Sequence, residues 1–517
     1  MSVLKIMASL DELIFSVEGF EGEAVVRELV PIPGGRELSR VSARAEAGEM
    51  RIPRFDGGRD RLASRFETTL GGAVYVSDLL HGCSVNNEAY PQPARIKALH
   101  GRLEDMKDLG LTQTLININL PALLAVEPGD AEVIDFVSDG RVYHFLKEKI
   151  DRLDRYMREM DENGFLVTMI LLNSPRMFDS TQEPALLEKA IHPRYEWDAK
   201  DAFLSAFDME REEGQGYYRA FVEFLAARYT RADREYGRAM GAIISNEVDS
   251  QCVWSNAGEM SCEEFTHEYS EACRLAWLLG RKHFANFRVY MSLDQFFSGV
   301  RFRPLEPLHT YPGREVIDRM NAHCLREGNF GWGIAYHPYP EDLRYPDFWN
   351  DRAPEFNHST PKITFKNMEV LPDYLSKPEL LYEGAPRRII FSEQGFNSQQ
   401  GPLQGVTEKQ AAAAYCLAYL KARKIPTLDL FTHHSYLDNP HEFGLNLGIR
   451  RYDPAVSDHV GERKPIYETI RDMDTDREPE CILRAREFIG AELFDYLLDP
   501  PLHHGDADRS SDTDFGN

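Results

Sequence analysis

Short apolar, strand-like runs alternate with helical segments along most of this chain, and that alternation limits its fold more than any other feature. Helical periodicity is clearest over 142–163, where apolar residues recur at steps of three and four positions. Strand-like runs lie at 75–79, 114–119, 165–172, 242–247, 288–294, 332–338, 388–393 and 428–434, and helices are predicted between most of them, the first near 93–109. Such alternation predicts parallel strands joined by right-handed crossovers. Eight units predict an α/β fold closed into a (β/α)8 TIM barrel.

A doubly wound open sheet is the structural alternative to the barrel. Sheets of that class commonly bind a nucleotide through a G-x-G-x-x-G turn that follows a strand. The pair Gly71-Gly72 is only a turn, and no such motif follows a strand-like run. The barrel is therefore the favoured prediction.

The two ends of the chain lie outside the alternation. The N-terminal part has short β-like runs and strong turn signals at 31–35. We therefore predict a small N-terminal β module over 1–70, the barrel over 71–500, and a polar, disordered tail over 501–517.

Net charge and cysteine usage narrow the possible partners. The chain has 59 Lys and Arg against 84 Asp and Glu, a formal net charge of −25, which disfavours binding to nucleic acid or to anionic membranes. Seven scattered cysteines match no metal or disulfide spacing, so we expect free thiols in a reducing compartment. The N-terminus lacks the apolar region of a signal peptide, and no apolar stretch approaches the roughly 18 residues that span a bilayer. These features predict a cytoplasmic protein.

Glu247 and Glu393 each end an apolar run, on the fourth and seventh predicted strands. A carboxylate at the tip of a buried strand is costly unless it has a task. Cleavage of a glycosidic bond with retention needs two carboxyls about 5–5.5 Å apart, whereas about 6.5–9.5 Å leaves room for a water molecule and gives inversion. Both strand tips lie on one face of a barrel, so the pair predicts a sugar-cleaving site. The alternative is that each glutamate merely pairs with an arginine or a lysine.

The chemistry of such a pair leads to two further expectations. The acid needs a raised pKa, which a partly apolar site and a neighbouring anionic nucleophile supply. Asn246, beside Glu247, can hydrogen-bond the sugar 2-hydroxyl, a contact that strengthens in the transition state.

Other candidates for contact with substrate end or follow predicted strands. They are Asn173, Asp294, His337, Tyr339 and His434. Asp294 could instead cap a helix, and His337 could be a satisfied core histidine. His433 and His434 alternate in direction, so only one of them can point inward.

Two long connections, 174–214 and 339–365, follow predicted strand ends, where a barrel builds its active site. Trp254 and Trp349 lie in loops on the same face and could stack against a sugar ring. Ordinary packing of these indoles is the alternative.

The residues at these strand ends resemble a known group of enzymes. Asn-Glu at the end of strand four and Glu at the end of strand seven resemble clan A of the retaining (β/α)8 glycoside hydrolases. A closer likeness, from about Pro53 to about Glu468, is to a bacterial barrel family catalogued mainly as a domain of unknown function. The runs that carry it are Ile244-Ser245-Asn246-Glu247-Val248, Tyr290-Met291-Ser292-Leu293-Asp294, Ala335-Tyr336-His337-Pro338-Tyr339-Pro340, Phe348-Trp349-Asn350-Asp351, Ser392-Glu393-Gln394-Gly395-Phe396 and Gly444-Leu445-Asn446-Leu447-Gly448. The resemblance implies a barrel with Glu247 as acid/base and Glu393 as nucleophile, and it implies no particular substrate.

The chain departs from the clan at two places. Asn117 and Asn119 stand where an arginine is often found near the end of strand two. His434 and Tyr436 replace the tryptophan that is common at the end of strand eight. Both places usually help to hold the nucleophile or the sugar of the first subsite. After strand six, the clan commonly uses an aromatic residue or a histidine to support the nucleophile, a position that His337 and Tyr339 would fill.

These observations favour a retaining glycoside hydrolase that acts on short oligosaccharides or glycosides by double displacement. We expect it to need no cofactor, and no metal site is expected because the histidines lack an H-E-x-x-H or comparable spacing. A catalytically inactive carbohydrate-binding barrel is the main alternative. A lyase or isomerase would call for a metal constellation or a lysine at a strand tip, and neither is visible in the sequence.

Overall fold

Two closed β-barrels follow one another along the chain. The computed structural model describes residues 4–69, 73–79, 82–177, 179–181, 183–301 and 306–502, and for 73–79 it describes the backbone alone. The predicted disordered tail lies outside the described residues from position 503 onward.

The N-terminal barrel has seven strands. Their order around the barrel is Ile6–Ala8, Glu12–Ser16, Glu49–Pro53, Glu37–Glu46, Gly22–Leu29, Arg65–Thr68 and Ala73–Leu79. Neighbours are antiparallel except for the closing pair, in which Ala73–Leu79 runs parallel to Ile6–Ala8. Apolar side chains fill the interior, and the rings of Phe15 and Phe66 meet edge to face at 5.5 Å. The predicted β-rich module is confirmed.

The predicted first strand of the large barrel, at 75–79, is wrong. That run belongs to the N-terminal barrel, so this barrel extends beyond the predicted boundary at residue 70. The first strand of the large barrel is the two-residue segment Lys97–Ala98, inside the stretch predicted as a helix near 93–109. A strand-like run predicts a strand but not the strand with which it pairs, and two residues are too few to show any periodicity.

The large barrel is the predicted (β/α)8 fold, with eight parallel strands. We label them β1 (Lys97–Ala98), β2 (Gln113–Asn119), β3 (Leu166–Leu172), β4 (Ala239–Ile244), β5 (Arg288–Leu293), β6 (Trp332–Tyr336), β7 (Ile389–Phe391) and β8 (Leu428–Thr432). The main helix after each strand is α1 (Leu103–Asp108), α2 (Lys147–Glu162), α3 (Glu212–Tyr229), α4 (Cys262–His283), α5 (Gly313–Glu327), α6 (Val370–Leu375), α7 (Gln404–Ala422) and α8 (Pro465–Asp472). Helices Glu478–Ile489 and Ala491–Leu498 end the described chain.

Local signals explain where several of these elements begin and end. The Ser261 hydroxyl accepts the Glu264 backbone N–H at the start of α4, and the Glu264 side chain accepts the Ser261 N–H, which is a complete capping box. Helix α2 ends at Asn163 and Gly164, and Gly164 has a φ of +79°, a conformation that favours glycine. A layer of inward-facing side chains fills the barrel interior: Ala98, Leu115, Ile243, Tyr290, Ala335, Ile390 and Leu430.

The carboxyl ends of the strands carry the longest connections. Residues 173–211 join β3 to α3, and residues 337–369 join β6 to α6, as predicted. All seven cysteines are buried and unbonded to one another. Within the described residues, none of the helices has the length and apolar character required to cross a bilayer.

Candidate active site

Glu247 lies three residues beyond the end of β4, in a turn of unusual backbone conformation. Ser245 and Glu247 have φ angles of +63° and +36°, in the left-handed region that residues other than glycine rarely adopt. The Glu247 N–H donates to Ser292 Oγ on β5 at 3.0 Å, which holds the turn against the neighbouring strand. Backbone strain of this kind concentrates at functional sites.

Both carboxylate oxygens of Glu247 have partners within the protein. His337 Nδ1 donates to Oε1 at 3.0 Å, and the Arg301 guanidinium donates to Oε2. The other ring nitrogen of His337 lies 3.0 Å from Ser392 Oγ. Glu247 is 5% exposed and His337 is 1% exposed, so this chain of contacts across β4, β6 and β7 is shielded from water.

Glu393 lies two residues beyond the end of β7 and is only half-buried. The Tyr339 hydroxyl, from the connection after β6, donates to Glu393 Oε1 at 3.0 Å. One side-chain donor atom from each of Glu247, His337 and Glu393 lies within 4.8 Å of the other two. The structure therefore brings the two predicted glutamates together at the barrel mouth.

The pKa of Glu247 differs from the expectation for an acid. Burial raises this pKa. The positive charge of Arg301 and the hydrogen bond from His337 lower it by more, so the pKa lies below its ordinary value. Burial lowers the pKa of His337, yet its bond to Glu247 and the charge of Glu393 leave it raised. The expected raised pKa of the acid is wrong for this arrangement, because the sequence did not reveal Arg301 as a partner.

A cavity of about 920 Å³ opens beside Glu393. Its walls include Asn117 and Asn119 at the end of β2 and His434 and Tyr436 after β8. These are the four residues at which the sequence departs from clan A. A second cavity, of about 810 Å³, has Arg301 in its wall.

His434 lies in the wall of the larger cavity. Its Nε2 lies 2.6 Å from Glu442 Oε1. Burial lowers the pKa of His434, but Glu442 and Glu393 outweigh that effect and raise it to about 9. His434 is therefore an imidazolium at neutral pH. His433 is buried, and its Nε2 lies 3.0 Å from the Leu447 carbonyl oxygen.

Asn246 and Asn173 differ in what their side chains contact. Asn246 is half-buried, and its amide has no hydrogen-bond partner in the described part of the chain, so it can take one from a ligand. Asn173 is fully buried and donates to the carbonyl oxygens of Ala190 and Ala206, at 2.9 and 3.0 Å. The Asn173 side chain therefore holds the backbone of the long β3–α3 connection and does not reach the cavity.

Asp294 is also withdrawn from the cavity surface. It is 1% exposed, accepts the Ser250 hydroxyl at 2.7 Å and accepts the Phe296 N–H at 2.6 Å. Its backbone N–H donates to Asp249 Oδ1 at 3.0 Å, which places two buried carboxyls side by side. Burial and the charges of neighbouring carboxylates raise the pKa of both.

The two predicted indole platforms pack against other aromatic rings. Trp254 stacks on Phe203 with ring centroids 5.5 Å apart, and Trp349 meets Phe348 at 5.7 Å. Both indoles are half-buried, and neither lies in the wall of the cavity beside Glu393.

Sequence reasoning missed three residues of this site. Arg301 lies in the connection after β5, where no local pattern distinguishes it from other surface arginines. Ser392 follows an apolar run, and nothing in the sequence indicates that its hydroxyl contacts His337. Asp249 follows Glu247 by two positions, and this short spacing of acidic residues at a strand end was the one available signal.

Three clusters in the described part of the chain have donor atoms close enough for a metal ion. They are Glu247 with His337 and Glu393, His192 with Glu210 and Glu268, and His267 with His323 and Glu327. In the first cluster Arg301 already supplies a positive charge to Glu247, which disfavours a second cation there.

Solved structures similar to this chain include glycoside hydrolases. A family 39 glycoside hydrolase from Bacteroides cellulosilyticus WH2 is 13% identical, with a TM-score of 0.44 over 90% of this chain and 81% of that chain. A β-glucosidase from Pyrococcus furiosus is 14% identical, with a TM-score of 0.45 over 75% of this chain and 86% of that chain. A family 1 β-glucosidase from Thermotoga maritima is 13% identical, with a TM-score of 0.41 over 71% of this chain and 84% of that chain.

No curated protein matches the chain. A family model does match it, over residues 89–496, which is more than half of the sequence. This match confirms the predicted likeness to a barrel family catalogued as a domain of unknown function. The chain therefore belongs to the family of unknown function DUF5722.

Proposed function

We propose that this protein is a retaining glycoside hydrolase, with Glu393 as the nucleophile and Glu247 as the acid/base. The observation that carries the proposal is the approach of Glu247, His337 and Glu393 donor atoms to within 4.8 Å across the barrel mouth. Carboxyls about 5–5.5 Å apart suit retention, because the interval is too small for a water molecule between the anomeric carbon and its attacking group.

The reaction follows from the two positions. Glu393 attacks the anomeric carbon and forms a glycosyl ester, while Glu247 gives its proton to the departing glycosidic oxygen. Glu247 then takes a proton from water, the water oxygen attacks the anomeric carbon, and the bond to Glu393 breaks. Tyr339 holds Glu393 through its hydroxyl, and Asn246 is free to bind the 2-hydroxyl.

The cavity beside Glu393 suits a polyhydroxylated ligand. Asn117 and the His434 imidazolium provide polar groups in its wall, and apolar groups such as Leu115 and Ile170 lie beside them. A mixture of a few polar groups in a largely apolar cleft is usual for a small-molecule site.

A carbohydrate-binding barrel without catalysis is the second candidate. One observation favours it: His337 and Arg301 both donate to Glu247, which stabilises the carboxylate over the protonated form that an acid needs. In such a protein the cavity would retain a sugar without cleaving it.

A panel of 4-nitrophenyl glycosides tests the two candidates. We expect the wild type to turn over at least one sugar, and Glu393→Gln to lose at least about 10⁴-fold in kcat, because the covalent step is removed. Glu247→Gln should lose most activity on poor leaving groups. Glu492→Gln, an exposed glutamate on the last helix, is the matched control.

Two results would contradict the proposal. Unchanged turnover in the Glu393→Gln variant would exclude Glu393 as the nucleophile. Binding of a sugar by the wild type, measured by calorimetry, with no turnover of any glycoside would favour the non-catalytic barrel. A mechanism-based sugar inhibitor should label Glu393 in the wild type, as detected by mass spectrometry.

A further inference from the structure

Arg301 pairs with the residue that the proposed reaction needs as its acid. Its guanidinium donates to Glu247 Oε2, while His337 holds Oε1. These two donors stabilise Glu247 as a carboxylate, whereas an acid must carry a proton. Movement of Arg301 away from Glu247 would therefore favour the form that can act as the acid.

A second acceptor for Arg301 lies next to the first. The same guanidinium nitrogen that contacts Glu247 lies 3.7 Å from Asp294 Oδ2. Asp294 cannot move toward solvent, because the Ser250 hydroxyl and the Phe296 N–H hold its two oxygens. Arg301 is 26% exposed at its side chain and ends a long, flexible stem. The mobile partner of the two is thus the arginine.

We propose that Asp294 is a positioning residue that takes the Arg301 guanidinium from Glu247 when a glycoside enters, and so frees Glu247 to act as the acid. The inference rests on the proposed function. After the transfer Arg301 pairs with Asp294, and Glu247 takes up one proton from solvent.

The surroundings support this exchange. Among the described residues, the charged or titratable groups that face Glu247 are Arg301, His337, Asp249, Asp294, Tyr339 and Glu393. Burial raises the pKa of Asp294 and raises that of Asp249 well above its ordinary value, which favours the neutral form of Asp249 and weakens its competition for Arg301. Among the groups that lower the pKa of Glu247, the Arg301 guanidinium has the largest effect. Its departure would raise this pKa and favour a proton on Glu247.

The experiment compares two leaving groups on the sugar that the 4-nitrophenyl panel selects. A phenyl glycoside needs protonation of its leaving oxygen, whereas a 2,4-dinitrophenyl glycoside does not. With Asp294→Asn, Arg301 stays on Glu247. We expect kcat/KM for the phenyl glycoside to fall at least about tenfold, within the about 10²–10⁴-fold that general acid catalysis supplies, while the dinitrophenyl glycoside changes about twofold or less.

Two further readouts separate positioning from a structural effect. Adding Arg301→Met to Asp294→Asn removes the trapped guanidinium and should restore activity on the phenyl glycoside. For the phenyl glycoside, the basic limb of the pH profile should move to lower pH in Asp294→Asn and to higher pH in Arg301→Met. The reason is that Arg301 lowers the pKa of Glu247. Asp233→Asn, which breaks a surface pair with Arg231, is the matched control.

The possible failures can be told apart. If the wild type cleaves no glycoside, the proposed function falls and this inference falls with it. If the wild type is active but Asp294→Asn lowers both glycosides equally, or if Arg301→Met restores nothing, only the inference is overturned. Thermal unfolding of each variant shows whether a loss reflects misfolding.

Discussion

The Tyr339 hydroxyl donates a hydrogen bond of 3.0 Å to Glu393 Oε1, from the connection that follows the neighbouring strand. Tyr339 is buried, and burial together with the charge of Glu393 raises its pKa well above the ordinary value. The tyrosine therefore remains a proton donor throughout the accessible pH range. It fixes one oxygen of the proposed nucleophile.

Removal of this donor should slow the formation of the glycosyl ester. A hydrogen bond to a charged group contributes about 1.5–3 kcal/mol, so Tyr339→Phe should lower kcat/KM for an aryl glycoside by about 10- to 100-fold. Tyr345→Phe, at an exposed position in the same connection, should leave it unchanged. Equal rates in wild type and Tyr339→Phe would show that the hydroxyl does not position Glu393.

His337 joins Glu247 to Ser392 through its two ring nitrogens. His337→Ala leaves both buried partners without a hydrogen bond and should cost about 1–3 kcal/mol in the free energy of unfolding. Asn at this position can replace the Nδ1 contact, and Gln can replace the Nε2 contact. We expect His337→Asn to retain more activity than His337→Gln, since Asn keeps the bond to Glu247. Chemical denaturation and kinetics on the same three variants measure both effects, and the reverse order of activity would count against the role of Nδ1.

His434 should make stability depend on pH in the alkaline range. Its pKa is raised to about 9 in the folded protein by Glu442 and Glu393, against an ordinary value of about 6.5. The stabilisation is fully present below about pH 6.5 and is lost as pH rises through about 9. The difference in unfolding free energy between wild type and His434→Gln should therefore shrink between these values. A difference that stays constant from about pH 6 to about pH 9.5 would contradict the assigned charge on His434.

Asp60 connects the two barrels through a buried ion pair. Arg54 binds both of its oxygens, at 2.9 and 2.8 Å, and Lys282 on α4 lies 3.1 Å from Oδ2. Loss of one partner from a buried pair costs about 3–5 kcal/mol, which we expect for Asp60→Asn in chemical denaturation. Asp56→Asn, at a half-exposed pair with Arg59, should cost less than about 1 kcal/mol.

The same pair predicts a response to acid. Burial raises the pKa of Asp60, but Arg54 and Lys282 outweigh it and lower the value to about 2. The stability that the pair provides is present above about pH 4 and is lost as pH falls through about 2. The unfolding free energy of Asp60→Asn should therefore approach that of the wild type in this acidic range. A constant difference from about pH 5 to about pH 2 would contradict the pairing.

The sequence alone determined the eight-unit barrel and the meeting of Glu247 with Glu393. Alternation of strand and helix patterns fixes the direction of parallel strands, so residues at strand ends necessarily share one face. The same logic brought Tyr339 to Glu393 and His434 to the cavity wall. It failed for the run at 75–79, because a strand-like composition does not identify the strand with which it pairs.

Only the tertiary structure decided which charges surround those residues. Arg301 reaches Glu247 from another loop, Asp294 turns inward to Ser250 and Phe296, and Asn173 holds the backbone of a long connection. Periodicity specifies the face from which a side chain emerges, but a pKa depends on distances of a few ångströms between groups remote in sequence. Loop conformation sets those distances, and no local pattern encodes them.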